Sequence, residues 1–499
     1  MGSVPPQLPP TKREVVVEAM ESRKLAMRSH GVPARQVLGE LDEFTGGDAD
    51  WRAGRILTGL YDAGGEAHAV AVEAYTRFLA QNALYINMYP SLGKLEREVV
   101  ASVAELLRGD DQVAGNITSG GTESILLAVK AARDWSRANR PHVTAPQVVV
   151  PVTAHPAFHK AAHYLGLEVV VTPVDTTGFR ADVAAFAAAM GPNAILGVGS
   201  APNFSHGTID PIGEMAAIAR ERGALFHVDG CVGGIYLSIL RRMGERVRDF
   251  DFSLPGVTSI SADLHKYGYA PKNASVLVYR NRDLRSYAWV VCSSTTEYAV
   301  INPTVQSSRT GGPIAAAWAV LRLLGEEGFQ RIVSESQAAT RRMLEEVAAL
   351  DSVRVLGDPD MCMFTLASDE LNVFEIDDEM RARGWRLLPQ FACGGGPANL
   401  HVSVSYANCA HVDSFLADLR DVVSRLREGG AAFDAAALRA VAGEVADKSL
   451  DEILARIAPL AGLEGAELPT RMARLNTLLD ALPASRRDQL LTAYVNLTT

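Results

Sequence analysis

Between residues 116 and 280, short apolar runs rich in β-branched residues alternate with stretches of helical character, and this alternation limits the possible folds more than any other feature. About 10–15 residues separate most of the runs, which is the usual length of a crossover helix. Parallel strands covered by helices on both faces read as continuous apolar runs of this kind. The sequence therefore predicts a large, mostly parallel sheet between two layers of helices. The runs are QVVVPV, LEVVVTPV, AILGVGS, ALFHVDG, TSISAD and SVLVYR.

The chain on either side of this core has a different pattern of apolar residues. Apolar residues recur at helical spacing in 67–85 and 92–107, with an expected helix break at Pro90. After the core, short apolar strands mix with helices up to the Gly429-Gly430 break. We therefore expect four parts: a helical N-terminal segment (1–115), a large domain (116–330), a smaller α+β domain (331–428) and a helical tail (429–499).

Composition excludes several classes of protein. The 499 residues carry 48 Lys+Arg against 58 Asp+Glu, a net charge of −10, and no basic block that would bind nucleic acid. No apolar run reaches the ~18 residues of a membrane-spanning helix, and prolines stand where a signal peptide would be apolar. The five cysteines form no CxxC pair, which argues against a disulfide framework or a zinc knuckle. We expect a cytoplasmic protein that is large enough to contain a complete catalytic core.

The first segment with chemical potential is NITSGGTESILLAVKAARDW (116–135), where a predicted strand enters a helix through Ser119, Gly120, Gly121 and Thr122. Two glycines allow a tight turn, and the free N–H groups at a helix start bind anions. The two hydroxyl side chains add further donors. An ordinary capped helix, with Thr122 at or near the cap, explains the same residues equally well.

The second segment is LFHVDGCVGG (225–234), in which Asp229 ends a predicted buried strand. Ligands of parallel sheets bind at the carboxyl ends of the strands, and a buried carboxylate there needs a cationic partner. Satisfaction of Asp229 by the following turn is the structural alternative. His227 points to the same face as Asp229, so support of that acid and simple packing are both open.

The third segment, SISADLHKYGYAPKNAS (259–275), places His265 and Lys266 in a polar loop between two apolar strands. Most lysines are solvated, but a lysine in a cofactor crevice has the amine that bonds to a carbonyl. The three segments supply, in order, an anion cradle, a carboxylate and an amine. Pyridoxal 5'-phosphate requires these three groups for its phosphate, its ring nitrogen and its aldehyde. Together the segments predict a pyridoxal 5'-phosphate site.

These segments resemble the group II pyridoxal phosphate decarboxylase superfamily, and within it most closely the sphingosine-1-phosphate lyases. The resemblance covers roughly residues 55–425 and depends above all on the string HKYGYAPK. It implies fold type I of the pyridoxal phosphate-dependent transferases, an α/β fold with a large and a small domain, and a homodimer with sites at the subunit interface. Other matching segments are AYTRFLAQNALYINMYPSLGKLE, AHPAFHKAAHYLG, FSHGTIDP, HVDGCVGG and SRTGGPIAAAWA.

The resemblance also implies roles for individual residues. Lys266 corresponds to the lysine bonded to the cofactor, Asp229 to the partner of the ring nitrogen, and His155 to the side chain stacked on the ring. The positions that correspond to the other cofactor contacts are Ser119, Gly120, Gly121, Thr122 and His265 at the phosphate, with Ser200 and Asn203 near the ring oxygen.

Substrate recognition is where this sequence departs from the lyases it resembles. Those enzymes hold the substrate phosphate with a tyrosine, a histidine and the lysine of YAPK. Tyr61 and Lys272 correspond to the first and the last, whereas Tyr85 stands at the histidine position. Arg309, in SRTGG, is similar in position to a segment that in these dimers reaches the site of its own or the neighbouring subunit, so the resemblance implies a substrate contact there. Two of the three phosphate contacts therefore remain compatible with an anionic substrate.

Three functions follow from these observations. The leading hypothesis is retro-aldol cleavage of a phosphorylated or otherwise anionic 2-amino-3-hydroxy compound to an aldehyde and a small amine. The alternative is decarboxylation of an L-amino acid, which the change at Tyr85 favours. The third is a noncatalytic dimeric scaffold, although Asp229 and Lys266 are both present and a scaffold needs neither.

Overall fold

The computed structural model describes residues 29–296, 298–463 and 468–498. The chain forms two compact units. One unit comprises Gly54–Gly430 and contains every segment that the sequence analysis connects with the cofactor; the other comprises the described parts of 1–53 and 431–499. The domain boundaries predicted at 115, 330 and 428 stay predictions.

A seven-stranded sheet forms the centre of the larger unit, and its strand order is β1-β7-β6-β5-β4-β2-β3. All neighbouring pairs are parallel except those that β7 makes with β1 and β6. The six runs read from the sequence are strands β2–β7, so the predicted α/β fold with a mostly parallel sheet is confirmed. The strands are β1 (Ala114–Thr118), β2 (Gln147–Pro151), β3 (Glu168–Thr172), β4 (Ala194–Ser200), β5 (Leu225–Asp229), β6 (Ser259–Ala262) and β7 (Ser275–Tyr279).

Two smaller antiparallel sheets follow along the chain. A hairpin pairs β8 (Val290–Cys292) with β9 (Val300–Asn302). A four-stranded sheet, in the order β10-β11-β13-β12, is built from β10 (Arg354–Val355), β11 (Met363–Ala367), β12 (Leu388–Gln390) and β13 (Asn399–Ser403).

Helices fill the connections between the strands of the larger unit, and further helices make up the smaller unit. The described helices are α1 (Ala34–Phe44), α2 (Gly65–Arg77), α3 (Pro90–Leu106), α4 (Gly121–Asn139), α5 (Ala157–Leu165), α6 (Val183–Ala189), α7 (Ile212–Glu221), α8 (Gly233–Arg242), α9 (Arg282–Ser286), α10 (Gly312–Ala348), α11 (Val373–Ala382), α12 (Val412–Gly429), α13 (Ala435–Val445), α14 (Leu450–Ala461), α15 (Ala473–Ala481) and α16 (Ala484–Thr498). No described helix is long and apolar enough to cross a membrane.

The N-terminal helices differ from the prediction in one place. The helix expected over 67–85 ends at Arg77, and turns connect it to α3. Pro90 begins α3 and does not break a helix, because proline lacks only an N–H group that has no partner at a helix start. The spacing rule identified both helices but misplaced the boundary between them.

The core holds α4 rigidly against the sheet. Ile125 and Val129 of α4 pack with Phe158 of α5 over Val150 and Val198 on the neighbouring strands β2 and β4. Full burial of such side chains stabilises a fold by about 1.5–3 kcal/mol each. The start of α4 is therefore fixed close to the carboxyl ends of the parallel strands, where the site lies.

Candidate active site

A cavity of about 350 Å³ lies where β4 and β5 end and α4 begins. Ligand sites of doubly wound sheets are found at this edge, and their volumes start near 300 Å³. All three segments singled out from the sequence contribute to its walls. The lining residues are Ser119, Gly120, Gly121, Thr122, Glu123, Ile125, His155, Ser200, Pro202, Phe204, Asp229, Cys231, Val232, Asp263, His265 and Lys266.

The anion cradle is formed by the turn before α4. Gly120 has a φ of +150°, a conformation that favours glycine. A Cβ at Gly121 would lie only 2.8 Å from Cys231 Sγ and 3.0 Å from Asp263 Oδ2. The first N–H groups of α4 have no partners within the helix. Glycine at these positions therefore lets the helix start approach the floor of the cavity.

Glu123 ties this turn to a distant segment. Its Oε2 accepts the backbone N–H of Ser119, and its Oε1 accepts the N–H groups of Val305 (2.6 Å) and Gln306 (3.3 Å). The side chain is buried with these three bonds. No pattern in the sequence distinguished Glu123, because a glutamate in the first turn of a helix is also a common way to complement the helix dipole.

Asp229 lies at the end of β5 and is buried in the cavity wall. The backbone N–H of Cys231 donates to its Oδ1 at 3.0 Å. Burial by itself would raise the pKa of Asp229, but His155, the bond from Cys231 and Lys266 outweigh burial and hold this pKa below its usual value. The carboxylate is therefore ionised at neutral pH and suits a cationic ring nitrogen.

Lys266 follows β6 and points its amine to a carboxylate on the same turn. Nζ lies 3.1 Å from Asp263 Oδ2, and His265 Nε2 lies 3.5 Å from the same oxygen. Burial would lower the pKa of Lys266, but the charge of Asp263 outweighs burial and raises it. Asp263 was missed in the sequence, although it too follows a buried strand, the same signal that identified Asp229.

His155 and Ser200 lie on the loops around the cavity. His155 Nδ1 accepts the N–H of Ala157 at 3.1 Å, which fixes the ring at the start of α5. The backbone N–H of Ser200 donates to Asp210 Oδ2 at 2.8 Å, and the other oxygen of Asp210 accepts the N–H of Ala181 at 2.9 Å. Burial raises the pKa of Asp210 to about 6.

Two of the predicted residues outside the cavity lining, Asn203 and Arg309, are bonded to other parts of the protein. Asn203 Nδ2 donates to the carbonyls of Phe179 and Thr208 and to Thr208 Oγ1, so this side chain holds its own loop together. Arg309 Nη1 donates to the carbonyl of Ile117 at 2.8 Å, and its Nη2 lies 3.3 Å from Glu96 Oε2. In this chain the Arg309 guanidinium is thus occupied by protein groups.

The residues at the positions predicted to hold the substrate phosphate are Tyr61, Lys272 and Tyr85. Lys272 Nζ lies 5.2 Å from the centre of the Tyr61 ring and donates to the carbonyl of Gly59 at 3.0 Å. Burial raises the pKa of Tyr61 to about 12, although the nearby charge of Lys266 acts in the opposite direction. Tyr61 and Lys272 therefore form a pair near Lys266, and Tyr85 is 41% exposed. None of these three residues is among those that line the cavity.

These groups fit pyridoxal 5'-phosphate. The helix start of α4, brought close by Gly121, suits the phosphate. The ionised Asp229 suits the ring nitrogen, and the amine of Lys266 suits the aldehyde. A chain with this sheet and this set of groups is a pyridoxal 5'-phosphate-dependent enzyme of fold type I.

Comparison with known proteins identifies the family and the relatives of this chain. The pyridoxal-dependent decarboxylase conserved domain matches residues 50–366, and a C-terminal helix-turn-helix domain of pyridoxal-dependent enzymes matches residues 435–497. The chain is 37% identical over 430 residues to the sphingosine-1-phosphate lyase of Arabidopsis thaliana, covering 83% of this chain and 78% of that protein. It is 30% identical to the L-aspartate/L-glutamate decarboxylase of Pyrococcus horikoshii, covering 79% and 98% of the two chains.

A solved structure agrees with these relatives. The sphingosine-1-phosphate lyase of Burkholderia pseudomallei superimposes with a TM-score of 0.77 at 36% identity, covering 85% of this chain and 96% of that one. The chain belongs to the pyridoxal-dependent decarboxylase family. It is a pyridoxal 5'-phosphate-dependent lyase that resembles the sphingosine-1-phosphate lyases, as the sequence motifs predicted.

Proposed function

We propose that this enzyme cleaves the Cα–Cβ bond of an anionic 2-amino-3-hydroxy compound, with a phosphorylated sphingoid base as its substrate class. The observation that carries the proposal is the pair Tyr61–Lys272 beside Lys266. A cation and a phenol next to the reacting amine suit a substrate phosphate. The identity to sphingosine-1-phosphate lyases over about four-fifths of the chain supports the same substrate class.

The side chains of the cavity divide the chemistry among them. When bound, pyridoxal 5'-phosphate supplies the electron sink for the pair released at the α-carbon. Asp229 holds the proton on the ring nitrogen, since an ionised carboxylate favours the charged form of its neighbour. His155 covers the ring, and the start of α4 holds the phosphate.

Proton transfer falls to Lys266. Cleavage breaks the Cα–Cβ bond, removes the proton from the 3-hydroxyl oxygen to leave an aldehyde, and adds a proton to the α-carbon. The amine of Lys266 is the group placed to carry protons between these positions. Asp263 lies 3.1 Å from Nζ and stabilises the ammonium form of Lys266, which donates the proton to the α-carbon.

A homodimer with sites at the subunit interface is part of the proposal. Two segments of the larger unit expose apolar side chains that a monomer would leave in water. One is the hairpin β8–β9, where Val291 (66% exposed) pairs with Ile301 (59% exposed). The other contains Tyr85, Ile86 and Met88. Apolar clusters of this kind mark protein interfaces.

We also infer a cytoplasmic location. All five cysteines are free thiols, and Cys231 and Cys362 are buried in the core. Free thiols of this kind are typical of a reducing compartment.

The test uses the purified protein loaded with cofactor and two substrate sets in parallel, a sphingoid base phosphate and a pool of amino acids. Mass spectrometry identifies the products. A fatty aldehyde together with phosphoethanolamine is the expected result. An amine and carbon dioxide from one amino acid would establish the decarboxylase alternative, for which the relative from Pyrococcus horikoshii is the precedent. No product from either set, with the cofactor bound, contradicts both.

A further inference from the structure

A chain of buried hydrogen bonds connects Asp229 to three side chains that are not among those lining the cavity. His227 precedes Asp229 by two residues on β5, so the two side chains point to the same face. The parallel register places His227 beside Ser259 and Asp229 beside Ser261 on β6. The side chains of the two strands therefore meet in pairs.

The distances connect the four side chains in one line. Ser259 Oγ lies 2.8 Å from His227 Nδ1, and His227 Nε2 lies 3.2 Å from Ser261 Oγ. Ser261 Oγ lies 3.5 Å from Asp229 Oδ1. His227 and Ser261 are completely buried, so these bonds do not compete with bulk water.

The direction of each bond follows from the carboxylate. An ionised carboxylate only accepts, so the Ser261 hydroxyl donates to Asp229 and accepts the Nε2–H of His227. Nδ1 is then the acceptor of the hydrogen bond that the Ser259 hydroxyl donates. Burial lowers the pKa of His227 to about 4, so at neutral pH the ring has the one donor and one acceptor that this order needs. Every donor in the line points toward Asp229.

Other charged or titratable groups also face Asp229. They are His155, Cys231 and Lys266, together with the buried Asp210. Cys231 Sγ lies 3.1 Å from Ser261 Oγ and can donate a further weak hydrogen bond to it. None of these groups replaces the bond between His227 and Ser261.

We propose that His227 and Ser261 are positioning residues that keep Asp229 ionised and oriented, and thereby keep the ring nitrogen of the bound cofactor protonated. This inference rests on the proposed pairing of Asp229 with that nitrogen. The sequence left two roles open for His227, support of Asp229 and simple packing. The inference assigns it the first. His227 does pack, with its ring centre 5.9 Å from that of Phe158, so the experiment has to separate the two roles.

The experiment loads the full-length enzyme with cofactor carrying ¹⁵N at the ring nitrogen and records its ¹⁵N chemical shift across pH. The variants are His227→Phe, which keeps an aromatic ring and removes both hydrogen bonds, and His227→Gln, which keeps a donor and an acceptor. Val228→Ala, a buried position on the opposite face of β5, is the matched control. Ser261→Ala repeats the test with a smaller change in case His227→Phe does not fold.

We expect His227→Phe and Ser261→Ala both to move the shift toward that of the neutral pyridine. Ser261→Ala removes the hydroxyl that bonds to the charged Asp229 and should raise the dissociation constant of the cofactor about tenfold, and His227→Phe, which removes a bond between neutral groups, should raise it less. His227→Gln restores most of the shift, and Val228→Ala leaves it unchanged. A wild-type shift in both His227→Phe and Ser261→Ala overturns the inference alone. A shift that Asp229→Asn leaves unchanged overturns the role of Asp229 and the inference with it.

Discussion

Asp263 Oδ2 lies 3.1 Å from Lys266 Nζ, and the carboxylate is only 1% exposed. Another carboxylate of the cavity wall, Asp229, lies at the end of the neighbouring strand and faces His155. Asp263 pairs with the lysine, whereas Asp229 is the acid proposed to pair with the cofactor ring. Because the two acids are separated in this way, substitutions can test the functions of each side of the cavity independently.

Replacing Asp263 with asparagine should lower the pKa of Lys266, because the negative charge of Asp263 raises it. Each unit by which that pKa falls increases the neutral amine about tenfold. We expect Asp263→Asn, once stripped of cofactor, to bind added cofactor faster at neutral pH and to reach its maximal rate at a lower pH, as followed by visible absorbance. Glu245→Gln, in an exposed ion pair with Arg341, is the control. An unchanged pH profile would show that Asp263 does not set the charge of Lys266.

A methyl group at residue 121 should weaken cofactor binding. The Cβ of Gly121→Ala would lie 2.8 Å from Cys231 Sγ, so the start of α4 has to move away from the cavity floor. Overpacking costs about 1–3 kcal/mol, which corresponds to a dissociation constant raised about tenfold to hundredfold. Gly213→Ala, whose Cβ would meet its nearest neighbour at an ordinary 3.7 Å, should bind the cofactor like the wild type. Fluorescence titration measures both, and equal affinities would contradict the proposed cradle.

Lys272→Met should reduce kcat/KM for the anionic substrate about tenfold to hundredfold, the range for a hydrogen bond to a charged group, mainly through KM. The structure offers a matched control, because Lys160 on α5 also lies over a tyrosine ring, that of Tyr164, at 5.6 Å, whereas Lys272 and its tyrosine lie near Lys266. Steady-state kinetics of Lys272→Met and Lys160→Met compare the two. The substrate assignment fails if both variants behave alike.

The pH dependence of stability should reveal Asp210. Burial raises its pKa from the ordinary 3.8 to about 6, so the folded chain holds this proton more tightly than the unfolded chain. The stabilisation is therefore complete below pH 3.8 and is lost as pH rises through about 6, amounting to about 3 kcal/mol. The Asp210→Asn variant has no titrating group at this position and therefore lacks this pH-dependent stabilisation. We expect the Tm of the wild type minus that of the variant to decrease between pH 4 and pH 7; a constant difference would exclude the raised pKa.

A charge on the hairpin β8–β9 should separate the subunits. Val291→Asp places a carboxylate among the exposed apolar side chains that include Ile301. We expect light scattering after gel filtration to give the mass of one chain, with the wild type at twice that mass. Tyr164→Ser removes an exposed aromatic ring from α5 and should leave the dimer intact. A dimeric Val291→Asp would show that the interface lies elsewhere.

Local patterns in the sequence were sufficient to predict the sheet, its helices and the cofactor, and to select residues that the structure brings together around one cavity. Continuous apolar runs identify strands buried on both faces, and parallel strands bring their carboxyl ends to one edge. Asp229, Lys266 and the turn before α4 are found by their positions at such ends. The sequence order of these parts also predicted pyridoxal 5'-phosphate.

Only the tertiary structure decided which groups, distant along the chain, contact the residues of the site. Glu123 bonds to Val305 and Gln306, Asn203 turns into its own loop, and Arg309 is taken by Ile117 and Glu96. No local pattern contains these contacts, because the partners lie far apart along the chain or depend on how a loop closes. The same holds for the line from Ser259 to Asp229, which exists because the register of β5 and β6 sets two serines beside a histidine and an acid. Local sequence thus determined which groups are present, and strand register and packing determined which of them touch.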